Sequence, residues 1–413
     1  MRRLLRSSSF AAGALFGMAM LGPSALAQTG AEFYKGKTVT YIVSTAPGGG
    51  YDLYGRLIAE FMQRYLPGST FVVKNLPGAG HLVGTNTIYA SKPDGLTIGT
   101  FNTGLIYNQL IGLDGVRFDL NKMSWIGKAA SDPRIVAVHP DLPIKTFKDL
   151  QEYKGTLNFA TAGVGSAAYV ETAMLAKALK LPAKIVTGYN GSDDQLAMRR
   201  GEVQGAIASR SSWDQFIKNG FGRFIAQIGG NQKDLPQLSS LSTDPNAKAL
   251  IALVQTQGDI SRLTAGPPGI PPDRLEALRK AYRQSMEDKE LQARTEKLER
   301  PVDPAYGDDV LRMVQAALNQ TPETVALLKE ALAPPKDAPA AAAERGTIAE
   351  WDGRAKLVLK LPDGKMFEAA VSGSRTEVTI AGQKSTRDGI KVGMSCTVEA
   401  PSSGAEAKVI ACN

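Results

Sequence analysis

Two glycine-rich segments carry the residues best suited to chemistry in this chain of 413 residues. Ala46-Pro47-Gly48-Gly49-Gly50-Tyr51-Asp52 follows an apolar run that ends at Ser44, and Thr161-Ala162-Gly163-Val164-Gly165-Ser166 follows Leu157 to Ala160. In each, small residues precede a stretch of helical period. Backbone N–H groups can then approach a ligand closely, and the helix start adds partial positive charge. Thr161 and Ser166 supply hydroxyls, while Asp52 caps its helix or holds its loop by accepting N–H bonds. Two such loops suit a carboxylate clamped between facing walls. Other chemistry is poorly provided for. The chain has two histidines, His81 and His139, and two cysteines, Cys396 and Cys412, so a His/Cys zinc site would have to be gathered from three distant places. His81 reads as a loop or core-edge residue. Gly78-Ala79-Gly80-His81-Leu82-Val83-Gly84 is one residue too long for a dinucleotide fingerprint. The second loop is not a nucleophile elbow, because Ser166 follows the second glycine instead of standing between the two. An enzyme built on Asp52, Asp193 and Asp194 is the remaining catalytic reading, and no base, nucleophile or metal cluster is recognisable beside them.

The elements that position these loops alternate in type. Thr38 to Ser44, Thr70 to Lys74, Thr97 to Phe101, Ile135 to Val138, Leu157 to Ala160 and Ile185 to Val186 read as strands. Leu53, Leu57, Phe61 and Tyr65 recur every fourth residue, as an amphipathic helix requires, and Ala168 to Leu179 and Arg274 to Met286 show the same period. Alternation of this kind predicts an α/β protein with parallel sheets covered by helices. Both loops then lie at the carboxyl ends of strands, where open α/β sheets bind ligands. Two proline-bounded stretches, Asp132 to Pro143 and Thr264 to Pro272, read as crossings between lobes, with His139 on the first. They divide the chain into one lobe of residues 28–136 and 265–331 and a second of residues 137–264, separated by a cleft.

The ends of the chain differ from this middle. Met1 to Ala27 has a basic start, an apolar run from Phe10 to Leu21 and Ala25-Leu26-Ala27 as a cleavage site, the pattern of an export signal removed after Ala27. Periplasmic location follows, and three of the eight net positive charges sit in that segment as Arg2, Arg3 and Arg6. The remaining basic excess is spread without a long cluster, so nucleic-acid binding has no support beyond the overall charge. Residues 332–345 are rich in Ala and Pro and read as a linker. Residues 346–413 then alternate with period two around Asp363-Gly364, which predicts a small all-β barrel-like or sandwich domain. If its last hairpin turns about Gly404, Cys396 faces Cys412 and Val398 faces Ile410 on one face. A disulfide would staple this small unit, the alternative being two buried free thiols.

At this point the chain resembles the periplasmic solute receptors of tripartite tricarboxylate transporters, the Bug family. The resemblance rests on IVSTAPGGGYDLYGR (Ile42 to Arg56), VVKNLPGAGHLVG (Val72 to Gly84), KPDGLT (Lys92 to Thr97), FATAGVGS (Phe159 to Ser166), GYNGSDDQLAMRRGEV (Gly188 to Val203) and Ala265 to Pro272. It implies a two-lobed periplasmic-binding-protein (Venus flytrap) fold that binds a small organic acid without cofactor or catalysis. Delivery to integral-membrane transporter subunits is implied as well. In the family, the loops matching Pro47 to Asp52 and Thr161 to Ser166 bind one carboxylate, largely through backbone and ordered water. The rest of the ligand meets variable positions, here Thr45, Thr103, Ser192, Asp193, Ser209 and Arg210. Departures at Thr45, Tyr51, Tyr169, Asp193-Asp194 and Ser209 leave the ligand open among di- or tricarboxylates and aromatic acids. The tail is foreign to the usual receptor and its partner is unread. It keeps a second possibility in view, a ligand-sensing or interaction protein that signals to a membrane partner.

Overall fold

The computed structural model describes residues 30–233, 235–333, 342–353, 356–371, 376–400 and 407–413. The export segment with its cleavage site after Ala27, the middle of the Pro/Ala linker and the turn about Gly404 lie outside the described residues.

The first sheet opens with β1 (Thr38–Val43), β2 (Thr70–Asn75), β3 (Thr97–Phe101) and β4 (Ser124–Lys128). β1 pairs in parallel with both β2 and β3. The second sheet holds β5 (Arg134–Val138), β6 (Leu157–Thr161), β7 (Ala183–Thr187), β8 (Gly205–Ser209) and β9 (Arg223–Ile228), in the order β7-β6-β8-β5-β9. The chain then returns. β10 (Leu263–Gly266) inserts antiparallel between β3 and β4, and β11 (Ala305–Tyr306) adds to the free side of β4.

Both sheets are therefore mixed instead of parallel. β5 and β10 are the strands that follow the two crossings, and each runs antiparallel to its neighbours. A strand delivered from the other lobe starts at the cleft and runs away from it, opposite to strands that leave a covering helix and end there. The crossings themselves are residues 129–133 and 260–262. The expected lobe boundaries at 136/137 and 264/265 thus move toward the start of the chain, because all of β5 pairs within the second sheet and β10 within the first. His139 follows β5 at the far end of the second sheet, where its N–H donates to the Gln204 carbonyl. The crossing segments lie side by side. Ala129 N–H donates to Arg262 O at 3.1 Å, and Asp132 N–H to Gly258 O at 2.9 Å.

Covering helices supply the cores. The Gly50–Tyr65 and Pro272–Glu287 helices bury Ile58, Phe61, Met62, Leu278 and Tyr282 against Tyr41 and Val43 of β1. In the second lobe, the Ala167–Ala178 and Pro245–Asp259 helices bury Met174, Leu175, Leu250 and Val254 against Val136 and Phe159. The Pro322–Leu332 helix, expected with the first lobe, joins this second core instead. Its Leu328 is fully buried among those residues, and the helix packs on the Ala167–Ala178 and Pro245–Asp259 helices. The chain consequently crosses the cleft a third time.

The C-terminal region is a separate seven-stranded sheet of β12 (Ala342–Trp351), β13 (Lys356–Lys360), β14 (Met366–Ala370), β15 (Glu377–Ile380), β16 (Gln383–Ser385), β17 (Ser395–Ala400) and β18 (Val409–Cys412). Its order is β14-β13-β12-β17-β18-β15-β16. The N–H of Ala407 donates to Ala370 O at 2.9 Å, which curls the β14 edge back toward β18. Ile348, Leu357, Leu359, Val398 and Ile410 fill the enclosed face. The linker is shorter than 332–345 at both ends, since the preceding helix runs through Leu332 and β12 pairs from Ala342 onward. Cys396 stands opposite Cys412 and Val398 opposite Ile410, and the two sulfurs are bonded.

With a sequence separation of 16 between its cysteines, this disulfide is expected to stabilise the sheet by on the order of 3 kcal/mol. Replacing both cysteines with serine should accelerate amide exchange in β17 and β18 on the order of a hundredfold. Unchanged exchange there would show that the bond does not support the sheet.

Candidate functional site

The first glycine loop is held from behind by one carboxylate. Asp52 Oδ2 accepts the Gly48 N–H at 3.0 Å and Arg56 Nε at 3.0 Å, and Oδ1 accepts Asn75 Nδ2 at 2.9 Å. The same Asn75 amide donates to the Thr45 carbonyl at 3.0 Å. Burial alone would raise the Asp52 pKa, but the bonds from Arg56, Gly48 and Asn75 outweigh it and hold the carboxyl below its usual range. Asp52 is therefore a positioning residue whose oxygens face the loop. The loop is pressed against the other lobe. A Cβ on Gly50 would lie 2.5 Å from Ser212 Oγ and 3.0 Å from Arg262 Nη2, and one on Gly191 would lie 2.7 Å from Pro47 O.

The second loop is built by its own serine. Ser166 Oγ donates to Gly163 O at 2.7 Å and accepts the Tyr169 N–H at 3.2 Å, capping the Ala167–Ala178 helix. Asn108 Nδ2 donates to Gly165 O at 2.8 Å, which fixes the loop to the first lobe. A third segment arrives from residues 78–81, where Gly78, Ala79, Gly80 and His81 all have positive φ. Such a run of left-handed residues is a strained turn. It brings the buried His81 to the cleft, and burial lowers its pKa to about 4, leaving the ring neutral at pH 7.

These segments enclose a cavity of about 110 Å³ between the lobes. Its wall includes Thr45, Gly49, Gly50 and Tyr51 from the first loop, Thr161, Ala162 and Ser166 from the second, and Ser209 at the end of β8. Two buried arginines complete it. Arg134, at the start of β5, binds Glu171 through Nε at 2.6 Å and Ser209 Oγ through Nη1 at 2.6 Å. Arg262, on the second crossing, binds Asp132 Oδ2 at 2.5 Å and stacks over the Tyr51 ring at 4.3 Å. On three residues of this wall a buried polar atom has no hydrogen-bond partner among the described residues: Thr45 Oγ1, His81 Nδ1 and Arg262 Nε. Unpaired buried polar atoms are costly, and three of them belong to residues of this one wall.

The sequence-derived residues divide accordingly. Thr45, Gly49, Tyr51, Thr161, Ala162, Ser166 and Ser209 are brought together on the wall. Asp52, Gly163 and Gly165 shape the loops without lining the cavity, and neither Pro47 nor Thr103 reaches it, although Asn102 beside Thr103 does. Gly48 and Ser192 line a neighbouring pocket on the outer side of the first loop. Asp193 is exposed, and it is Asp194, one helical position on, that lines the cavity. Arg210 turns away to Asp214, at 3.2 Å, and to the Phe224 ring. Arg210 opens the Arg210–Lys218 helix, and Asp214 lies one turn on along the same face, where it takes up the guanidinium. Sequence reading overlooked His81, Asn102, Arg134, Tyr189, Gln195, Trp213 and Arg262 on the wall. Arg134 and Arg262 had a legible signal, a lone charge at the edge of an apolar strand beside a crossing.

Because His81 titrates at about 4 when folded and near 6.5 when unfolded, the unfolded chain binds a proton that the folded one refuses between these values. Folding stability should fall by roughly 3 kcal/mol as pH drops from 6.5 to 4. Urea titrations should show this component absent from His81→Asn, which tolerates the left-handed backbone. Parallel pH profiles for the two proteins would contradict it.

The family model described as "Tripartite tricarboxylate transporter family receptor" matches residues 55–329. A UPF0065 protein of Bordetella pertussis is 27% identical over 196 residues, 46% of this chain and 60% of the relative. The UPF0065 protein in the gbd 5' region of Cupriavidus necator is 26% identical over 285 residues, 67% of this chain and 83% of the relative. Among solved structures, periplasmic binding protein BugD superposes with a TM-score of 0.61 at 22% identity, over 72% of this chain and 98% of that one. MatC from Rhodopseudomonas palustris with bound malate gives 0.59 at 19%, over 71% and 99%. An R. palustris protein with adipate gives 0.58 at 18%, over 71% and 97%. The superpositions establish the two-lobed periplasmic-binding-protein fold for the region before the C-terminal sheet. With two glycine loops meeting across its cleft and a family match from residue 55 to residue 329, the chain belongs to the receptor family of the tripartite tricarboxylate transporters.

Proposed function

We propose that the protein is an exported receptor that captures a small organic acid between its lobes and passes it to transporter subunits in the membrane. The observation that carries this reading is the convergence of two amide-rich loops, one from each lobe, on one cavity. Carboxylates are what such loops hold, since amide donors fixed by Asp52 and Ser166 need no reorganisation when the anion arrives. The malate and adipate bound in two structural neighbours support the ligand class. The basic, apolar and small-residue sequence of Met1 to Ala27 supports periplasmic delivery. Closure is a hinge motion about the paired crossing segments, and ligand favours the closed form by the contacts it makes only there. A second reading, in which bound ligand is reported to a signalling partner, draws on the C-terminal sheet, which lies beyond the family match.

Mass spectrometry of small molecules released from the purified protein, followed by thermal-shift titration of organic acids, tests the reading. An acid should co-purify or raise the melting temperature. Gly50→Ala supplies the control within the protein. Its backbone is ordinary for a helix start, yet its Cβ would collide with Ser212 and Arg262 across the cleft. The variant should fold normally and bind at least about tenfold more weakly. Absence of any co-purified acid together with silence across a broad acid panel would remove the receptor assignment.

A further inference from the structure

The charges around the cavity do not match a simple organic anion. Arg134 is neutralised by Glu171 and Arg262 by Asp132, each through direct hydrogen bonds. His81 is uncharged. Among the described residues, the one Asp, Glu, Lys or Arg side chain on the wall that carries no ion pair is an acid, Asp194. Its Oδ1 accepts the Gln195 N–H at 2.8 Å, and no Lys, Arg or His ion pair reaches it among the described residues. A dicarboxylate filling this space would set a second anion against that carboxylate.

Resting on the carboxylate-receptor reading, we propose that the ligand is a small zwitterion, an amino acid or close analogue. The two glycine loops take its carboxylate and Asp194 its ammonium group. The geometry behind this is the placement of Asp194 and both loops on the lining of one cavity between the lobes. Burial, with Asp193 adding repulsion, pushes the Asp194 carboxyl up to about 7. An ammonium group beside it would draw that value back down, so ligand and ionised Asp194 stabilise each other. Gln195 and Trp213 hold the carboxylate from the protein side. The Gln195 side chain is itself tied to Ser212 O at 2.7 Å, so the acid is aimed before any ligand arrives.

Calorimetric titration with matched pairs, differing only in ammonium against hydroxyl, tests this: alanine with lactate, serine with glycerate, aspartate with malate. Above the Asp194 value of about 7, the amino member of every pair that binds should bind at least about tenfold more tightly. Asp194→Asn should erase that preference. Equal or better binding of the hydroxy acids by the unaltered protein would overturn the zwitterion assignment and leave the carboxylate receptor standing. Silence from both members of all pairs, with other acids binding, would also overturn it. Silence from every acid would overturn the receptor reading itself. The matched-pair comparison needs no variant, so a misfolded Asp194→Asn would not rescue the inference.

Discussion

Arg262 is 1% exposed, and a guanidinium taken that far from water must be met inside the protein. Its partner is Asp132, itself 0% exposed, and the two stand on the first two segments by which the chain passes between the lobes. Asp132 also accepts the N–H and hydroxyl of Ser211, the second residue of the Arg210–Lys218 helix. Arg262 meanwhile stacks on Tyr51 and Tyr54 at the start of the Gly50–Tyr65 helix. One buried ion pair thus ties the hinge, the first glycine loop and the second lobe together. Loss of either partner would strand the other charge, which makes this arrangement all or none.

The second buried pair, Arg134 with Glu171, applies the same solution on the opposite wall. Arg134 starts β5, Glu171 lies in the Ala167–Ala178 helix behind the second glycine loop, and Tyr107 of the first lobe reaches Glu171 at 3.3 Å. The cavity is consequently faced by cations whose charge is already balanced. Asp194 is the acid on that wall with no such ion pair among the described residues.

Much of this architecture was legible from local pattern. Thr97–Phe101 and the core of every other expected strand form as read, because alternation of β-branched and apolar residues is a short-range signal. Asp52 holds its loop as anticipated, since a carboxylate two residues into a helix has N–H groups within reach. The facing of Cys396 and Cys412 followed from counting alone, as a hairpin register must. What stayed hidden depends on which lobe meets which. Nothing local distinguishes Pro322–Leu332 as a helix of the second core, for its apolar face would cover either. β16 is three residues long and exposed or nearly so, and β12 begins in an alanine run that resembles linker. Asp193 and Asp194 are chemically identical in sequence. Only the helix rotation set by Ala197 and Met198 in the core decides which of them turns inward.

The third crossing bears on how the molecule is assembled over time. The first core is incomplete without Leu278 and Tyr282, and the second is incomplete without Leu328. Neither can close around contiguous chain, so a polypeptide emerging from its amino end must keep apolar strands uncovered until more than three hundred residues have been made. Late completion of both cores is the natural outcome of one short helix that leaves the first lobe and packs on helices of the second.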